Sequence, residues 1–183
     1  MKAVIISDKD HQTPLYHQLR EELLSYLENF DIEEIAVGRD DLAYCAGCFG
    51  CWVKTPGECV LRDDIAHINR AIMNSDAVIY LSPVVFGQFS ASIKTVIDRG
   101  LPNMLPFFIV RPNGSTMHPP RYKRYPISVF IGYGDDVSEE DAGLFADITQ
   151  KHRRSAHAFV FNPALGLASQ MQQISLERTE GLL

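Results

Sequence analysis

Apolar residues are concentrated in five short runs that predict buried β-strands. The runs are rich in β-branched and aromatic residues, and most are nearly continuous, as is typical of parallel strands covered on both faces. The second run mixes apolar and charged residues, which indicates a strand at the edge of the sheet. The runs are AVIIS (3–7), IEEIAV (32–37), AVIYLS (77–82), ISVFIGYG (127–134) and AFVFN (158–162).

Between these runs, apolar residues recur with the period of an α-helix. Residues 14–30 place a leucine at every fourth position from Leu15 to Leu27, and Pro14 suits the first turn of a helix. Comparable patterns cover residues 63–75, 89–100 and 138–158. Strands and helices therefore alternate along the chain, which predicts an α/β fold with a parallel sheet and helices on both faces.

The length of 183 residues predicts a single domain over 1–183. Two connections are long, the one at 38–62 and the proline-rich, basic one at 101–126, and long loops in compact domains are commonly functional. After the last predicted strand, a C-terminal extension at 164–183 is expected to form a further helix.

Composition narrows the class of protein. The net charge of −6 argues against non-specific nucleic-acid binding. No apolar run approaches the ~18 residues needed to cross a bilayer, and the first residues lack the features of a secretory signal. We therefore expect a cytoplasmic protein without membrane or nucleic-acid partners. In that compartment disulfides are rare, and clustered cysteines more often bind metal or perform redox chemistry.

All four cysteines fall within fifteen residues of the first long loop, with the spacing C-x2-C-x2-C-x7-C. The run C-x2-C-x2-C is associated with [4Fe–4S] clusters, whereas zinc sites more often use two separated pairs. The segment TPGE (55–58) predicts a turn that returns the last cysteine to the others. Zinc, redox-active thiols or a site that has lost its metal remain alternatives. The candidate ligands are Cys45, Cys48, Cys51 and Cys59.

A second candidate segment, SPVVFGQFSASIK (82–94), follows the third predicted strand. Ligands of open α/β sheets bind outside the carboxyl ends of the strands. Gly87 permits a tight turn, and Phe86 and Phe89 are candidates to flank a planar ring. The alternative is that this aromatic pair belongs to the core.

These segments carry a resemblance to a known family. SPVVFGQFSASIKTVIDR (82–99) resembles the segment S-P-V-Y-[FW]-G-x-x-[SP]-A-x-x-K-x-[FL]-[IF]-D-R of the NADPH-dependent FMN reductase family, which has the flavodoxin-like fold. CAGCFGCWVKTPGECVLRDD (45–64) resembles the cysteine loop of the iron–sulfur flavoprotein branch, at the matching place after the second strand. The resemblance covers roughly residues 1–134.

The resemblance implies a flavodoxin-like, doubly wound, five-stranded parallel sheet of order 2-1-3-4-5. FMN would lie at the carboxyl edge, with its ring against residues 82–89 and its phosphate in the loop after the first strand. It also implies a homo-oligomer, a dimer or tetramer, in which the cluster loop of one subunit approaches the flavin of another. Electrons would pass between NAD(P)H or another small-molecule or protein carrier, the cluster and FMN.

The resemblance also implies a set of flavin contacts and no catalytic side chain, because the cofactors hold the reactivity. In the loop after the first strand, the predicted contacts are Ser7, Lys9, His11, Gln12 and Thr13. After the third and fourth strands, they are Ser82, Pro83, Val84, Val85, Phe86, Gly87, Phe89, Tyr133 and Gly134.

The sequence departs from the family pattern in the first loop. The family's phosphate loop reads G-S-P-R-x-x-[SG]-[NS]-[ST], whereas SDKDHQTP (7–14) lacks the glycine and arginine and brings Asp8 and Asp10 to a phosphate dianion. The family's tyrosine after S-P-V is replaced by Val85. Two other functions therefore stay open: a cluster-free NAD(P)H-dependent flavin or quinone reductase, and a non-catalytic ligand-binding or redox-sensor protein.

Overall fold

The computed structural model describes residues 1–112, 114–152, 156–177 and 179–180. Five parallel strands form its central sheet, namely β1 (Lys2–Asp8), β2 (Asp31–Val37), β3 (Ala77–Pro83), β7 (Ile127–Tyr133) and β8 (His157–Val160). Their spatial order is β2-β1-β3-β7-β8. Numbered one to five along the chain, these strands have the order 2-1-3-4-5, which confirms the predicted topology.

Helices cover both faces of the sheet, as the alternating pattern predicts. Successive residues of a strand point to opposite faces, so each strand contributes to both layers of the core. One layer packs the leucine stripe of α1 (Pro14–Tyr26) and the short α6 (Leu167–Met171) on the sheet. The other layer contains α3 (Ile65–Asn74), α4 (Ala91–Asp98) and Phe145 of α5 (Glu139–His152).

Strand register brings the carboxyl ends of four strands to one edge. Asp8 pairs with Val37, Ser7 with Leu81, and Pro83 with Tyr133. We call this end of the sheet the carboxyl edge. The loops that follow β1, β2, β3 and β7 all leave from it, which is where α/β folds bind ligands.

The two long connections contain little regular structure. The first holds only a one-turn helix, α2 (Gly50–Val53). The second holds a 3-10 turn (Leu101–Asn103), the antiparallel pair β4 (Ile109–Val110) and β5 (Thr116–Met117), and β6 (Arg124–Tyr125). No helix in the described part of the chain is both long and apolar enough to span a membrane.

The C-terminal extension, which is expected to form a further helix, contains the short helix α6 and a short strand; residues 178 and 181–183 lie outside the described residues. Helix α6 begins after Gly166, which is in a left-handed conformation (φ +69°), and packs on α1. The N–H of Leu167 donates to Glu22 Oε2 of α1 at 2.7 Å. Farther along, β9 (Thr179–Glu180) pairs antiparallel with β6.

Candidate functional site

The turn after β3 holds a large apolar side chain out in solvent. Val85 and Gln88 exchange two backbone hydrogen bonds of 2.9 and 3.0 Å, and both residues between them are left-handed, Phe86 at φ 50° and Gly87 at φ 68°. A left-handed conformation is uncommon and strained for a bulky residue such as phenylalanine. The Phe86 side chain is nevertheless 90% exposed. This strained, exposed aromatic residue marks the turn as a candidate contact for a ligand or a partner.

Gly87 is required where it stands. A Cβ atom there would lie 2.6 Å from Leu144 Cδ2 of α5, and its positive φ disfavours other residues. The turn is also fixed from below, because the Ser82 hydroxyl donates to the Pro83 carbonyl and accepts the Ser90 N–H at 3.0 Å. The local structure is therefore a rigid platform at the carboxyl edge.

The predicted aromatic pair is not a pair of exposed rings. Phe89 is buried and packs on Phe130 and Phe145 at centroid distances of 5.3 and 5.1 Å, so the core alternative describes it. Tyr133 is also buried, and its hydroxyl donates to the His11 carbonyl at 2.9 Å. Burial, followed by the nearby charge of Asp8, raises the pKa of Tyr133 well above its usual range. Of the contacts predicted around β3 and β7, those with exposed or half-exposed surface are Val84, Val85, Phe86 and Gly134.

The loop after β1 engages two of its five predicted ligand groups inside the protein and leaves the other three exposed. Ser7 is buried and accepts the Tyr16 hydroxyl at 3.2 Å. Thr13 Oγ1 accepts the Tyr16 N–H and so caps α1. Lys9 Nζ lies 3.3 Å from the Asp41 carboxylate. The His11 ring forms a hydrogen bond with Asp8, and Gln12 is exposed.

Asp8 is the most buried charged residue of this loop. It is fully buried at the end of β1, and its Oδ1 accepts the Asp10 N–H at 2.8 Å. Nδ1 of His11 lies 3.0 Å from the same oxygen, which suits an Nδ1–H donor. The other oxygen, Oδ2, accepts no hydrogen bond from any residue that the structure describes.

Backbone donors of the neighbouring loop are also taken by carboxylates. Asp10 Oδ2 accepts the Arg39 N–H at 2.7 Å, and Asp41 Oδ2 accepts the Gly38 N–H at 2.8 Å. The Gly38 N–H, followed by Lys9, lowers the pKa of Asp41. The carboxyl edge therefore presents an exposed aromatic ring at the 84–87 turn. The loops after β1 and β2 carry carboxylates that oppose a phosphate dianion, so this part of the edge fits a phosphate poorly.

The cysteine loop brings its four thiols to one cavity. The predicted turn is present, with the Glu58 N–H donating to Thr55 O at 2.9 Å, and Gly57 N–H donates to Cys51 O. Cys45 and Cys48 are exposed, Cys51 is buried and Cys59 is half-buried, all as free thiols. With Arg99, Leu101 and Pro102 among their neighbours, they line a cavity of about 30 Å³, here called the cysteine cavity.

Arg99 supplies a buried positive charge to the cysteine cavity. Its guanidinium donates to the Asp63 carboxylate, to Ala43 O at 2.8 Å and to Cys59 Sγ at 3.2 Å. Burial alone would lower the pKa of Arg99, but the bonds to Asp63 and Cys59 outweigh it and raise the pKa. The contact of Arg99 with a cysteine forty positions away is visible only in the fold.

The thiols themselves repel one another as thiolates. Burial, followed by the charge of Cys59 and then of the two exposed sulfurs, raises the pKa of Cys51. Within the described residues, no three Cys, His, Asp or Glu side chains are arranged to hold a metal ion. A single zinc ion needs its sulfurs about 3.8 Å apart, given Zn–S bonds of about 2.3 Å, whereas the ligands of a cluster bind different irons and stand farther apart. The described thiols are therefore not arranged around a single metal ion, and the cavity that they line holds only about one or two water molecules.

An aromatic row joins the two long loops beside the cysteine cavity. Phe49 stacks on Trp52 at 5.5 Å, Trp52 contacts His118 at 4.8 Å, and His118 contacts Phe108 at 4.4 Å. Trp52 Nε1 donates to the carbonyls of Leu101 and Met104. Phe49 and Phe108 remain largely exposed, so the row presents an apolar surface that the sequence does not reveal.

The sequence of this chain is similar to that of known flavin-dependent proteins. Residues 1–107 match the family described as NADPH-dependent FMN reductase. An iron-sulfur flavoprotein of Archaeoglobus fulgidus is 39% identical over 104 residues, which are 56% of this chain and 46% of that protein. An iron-sulfur flavoprotein of Methanocaldococcus jannaschii is 35% identical over 80 residues, 44% of this chain and 40% of that protein. The matches span less than half the length of these relatives.

Solved structures share the fold at low identity. An azoreductase from Bacillus anthracis superposes with a TM-score of 0.60 at 13% identity, over 94% of this chain and 90% of that chain. An NAD(P)H:quinone oxidoreductase from Methanothermobacter marburgensis gives 0.58 at 11% identity, over 88% and 83%. These likenesses establish the flavodoxin-like fold.

Proposed function

Because this chain belongs to the NADPH-dependent FMN reductase family, we propose that it is an oxidoreductase that works with a flavin at the carboxyl edge. We also propose that Cys45, Cys48, Cys51 and Cys59 hold a [4Fe–4S] cluster. The observation that carries the proposal is the cysteine cavity, where four thiols and one buried guanidinium line a common wall in a chain of this family.

The flavin ring is proposed to lie on the 84–87 turn. Phe86 offers an aromatic face there, and one stacked aromatic contact contributes about 0.5–1.5 kcal/mol. Ser82 and Tyr133 act indirectly, because their hydrogen bonds position the turn and the first loop. When bound, a flavin exchanges one or two electrons and a cluster exchanges one, so the pair would connect two-electron and one-electron carriers.

Arg99 is the residue proposed to make the cysteine cavity suitable for a cluster. Four thiolates concentrate negative charge, which a buried cation offsets. A hydrogen bond to a ligand sulfur also tunes the potential of a cluster, and Arg99 already donates one to Cys59. Because its pKa is raised, Cys51 stays a neutral thiol near pH 7 until a metal binds and displaces its proton.

The proposed electron donor is NAD(P)H, and the proposed acceptors are small molecules or protein carriers. Exposed aromatic side chains at Phe86, Phe49 and Phe108 support a homo-oligomer, because apolar surface of this kind commonly lies in an interface. We propose that the protein works in the cytoplasm, where its four thiols stay reduced.

The proposal is tested by adding NADPH or NADH, without oxygen, to the flavin-loaded protein. We expect the visible absorption of the flavin to bleach in the wild type and in Cys51→Ser, and the iron–sulfur absorption to fall afterwards in the wild type only. Lys54→Ala, an exposed change in the same loop, should behave as the wild type does. If the chain binds neither FMN nor riboflavin, the result favours the alternative of a non-catalytic ligand-binding or redox-sensor protein.

A cluster-free NAD(P)H-dependent flavin or quinone reductase is the second candidate. It is favoured by the two exposed cysteines and by the fact that no three described Cys, His, Asp or Glu side chains are arranged to hold a metal ion. It predicts flavin bleaching with equal rates in the wild type and Cys51→Ser, and no iron–sulfur absorption in either.

A further inference from the structure

We propose that Asp8 makes this chain select a flavin without a phosphate group, riboflavin, over FMN. The inference rests on the proposed function, because it assumes that a flavin binds at the carboxyl edge. It concerns the loop after β1 and the start of α1, the place where an α/β fold of this order receives a ligand phosphate on backbone N–H groups and a helix N-terminus.

The first argument is that an internal anion already occupies this place. The Asp8 carboxylate is fully buried and takes the Asp10 N–H and the His11 ring N–H. A phosphate in this loop would lie beside that carboxylate and meet its like charge. Since a carboxylate held in place by the chain cannot diffuse away, this repulsion acts at every encounter.

The second argument is charge. Asp10 and Asp41 bind the Arg39 and Gly38 N–H groups across the same edge, and Lys9, the nearest lysine, is directed to Asp41. The loop after β7 adds two exposed carboxylates, Asp135 and Asp136. A phosphate dianion therefore meets carboxylates from three loops, and each like charge opposes its binding.

The third argument is the unpaired oxygen. Asp8 Oδ2 is buried and has no hydrogen-bond donor among the described residues. The protein therefore compensates the charge of this carboxylate only in part, and a phosphate dianion, which has acceptors and no donor, adds to that negative charge. Riboflavin carries no phosphate and does not meet this repulsion.

The test is a fluorescence titration of the protein with riboflavin and, separately, with FMN. We expect the wild type to bind riboflavin at least about tenfold more tightly than FMN. In Asp8→Asn, which removes the charge and keeps the shape and the Oδ1 acceptor, the preference should disappear or reverse. Asp136→Asn removes the same charge from an exposed position and should keep the preference.

Three results separate the inference from the function on which it rests. A wild type that binds FMN more tightly than riboflavin overturns the inference and leaves the proposed function intact. An unchanged preference in a folded Asp8→Asn variant also overturns it. If neither flavin binds to the wild type or to Asp8→Asn, the proposed function fails together with the inference. Because the wild-type preference is measured without any substitution, the test does not depend on the variant folding.

Discussion

Replacing Arg99 by methionine should strongly destabilise the protein, even without any cofactor. The substitution keeps an apolar stem of similar length and removes the guanidinium that binds Asp63, Ala43 O and Cys59 Sγ. Breaking a buried ion pair by removing one partner typically costs 3–5 kcal/mol. Because the Asp63 side chain is 18% exposed, water reaches its carboxylate, and we expect a loss of about 3 kcal/mol, at the lower end of that range.

Urea denaturation of the metal-free, reduced protein measures this loss. With a slope of roughly 2–3 kcal/mol per molar urea, the midpoint should fall by about 1–1.5 M. Lys94→Met is the matched control, because it breaks an exposed pair with Asp98 on the same helix and should cost at most about 0.5 kcal/mol. The double variant Arg99→Met/Asp63→Asn should be more stable than the sum of the single losses implies. A loss below about 1 kcal/mol for Arg99→Met would refute the reasoning.

Asp63, the 84–87 turn and the cysteine loop each yield one further prediction. Burial alone would raise the pKa of Asp63 in the folded protein, but the hydrogen bond from Arg99 lowers it. The stability advantage of the wild type over Asp63→Asn should therefore be full above about pH 5 and shrink as the pH falls through 4 and below. Urea titrations at several pH values measure this advantage, and an advantage that persists at low pH contradicts the prediction. Phe86→Gly should relieve the left-handed strain, leaving thermal stability equal or higher, yet weaken flavin binding about tenfold in fluorescence titrations; unchanged binding would place the flavin elsewhere. A thiol reagent, followed by mass spectrometry, should modify Cys45 and Cys48 well before Cys51, whose pKa is raised by burial; Cys51 reacting first would contradict the cavity.

The central sheet was predictable because each buried strand corresponds to a short apolar run in the sequence. Every residue of β3 and β7 is buried, so both runs are apolar apart from one serine each, whereas β2 at the edge is mixed, as predicted. The C-terminal extension was less predictable. A further helix was expected there and α6 is present, but the pairing of β9 with β6 was not expected, because a tertiary contact of two residues leaves no periodic signal.

The candidate site was also predictable only in part. The spacing of the cysteines predicted their convergence, and the residue types of TPGE predicted the turn at 55–58, because both features are set by residues close in sequence. Spacing could not decide which phenylalanine of the 82–94 segment is exposed, since Phe89 is buried by Phe145 of a distant helix. Nor could it show that the Asp8 carboxylate turns inward, where it accepts the Asp10 N–H.

The number of iron and sulfide ions bound per chain, in protein isolated without oxygen, tests the account most directly. We predict about four of each in the wild type, with loss of both in Cys51→Ser and retention in Lys54→Ala. Zinc, or no metal at all, in wild-type protein that has never met oxygen would contradict the cluster and leave the cysteine cavity without its proposed role.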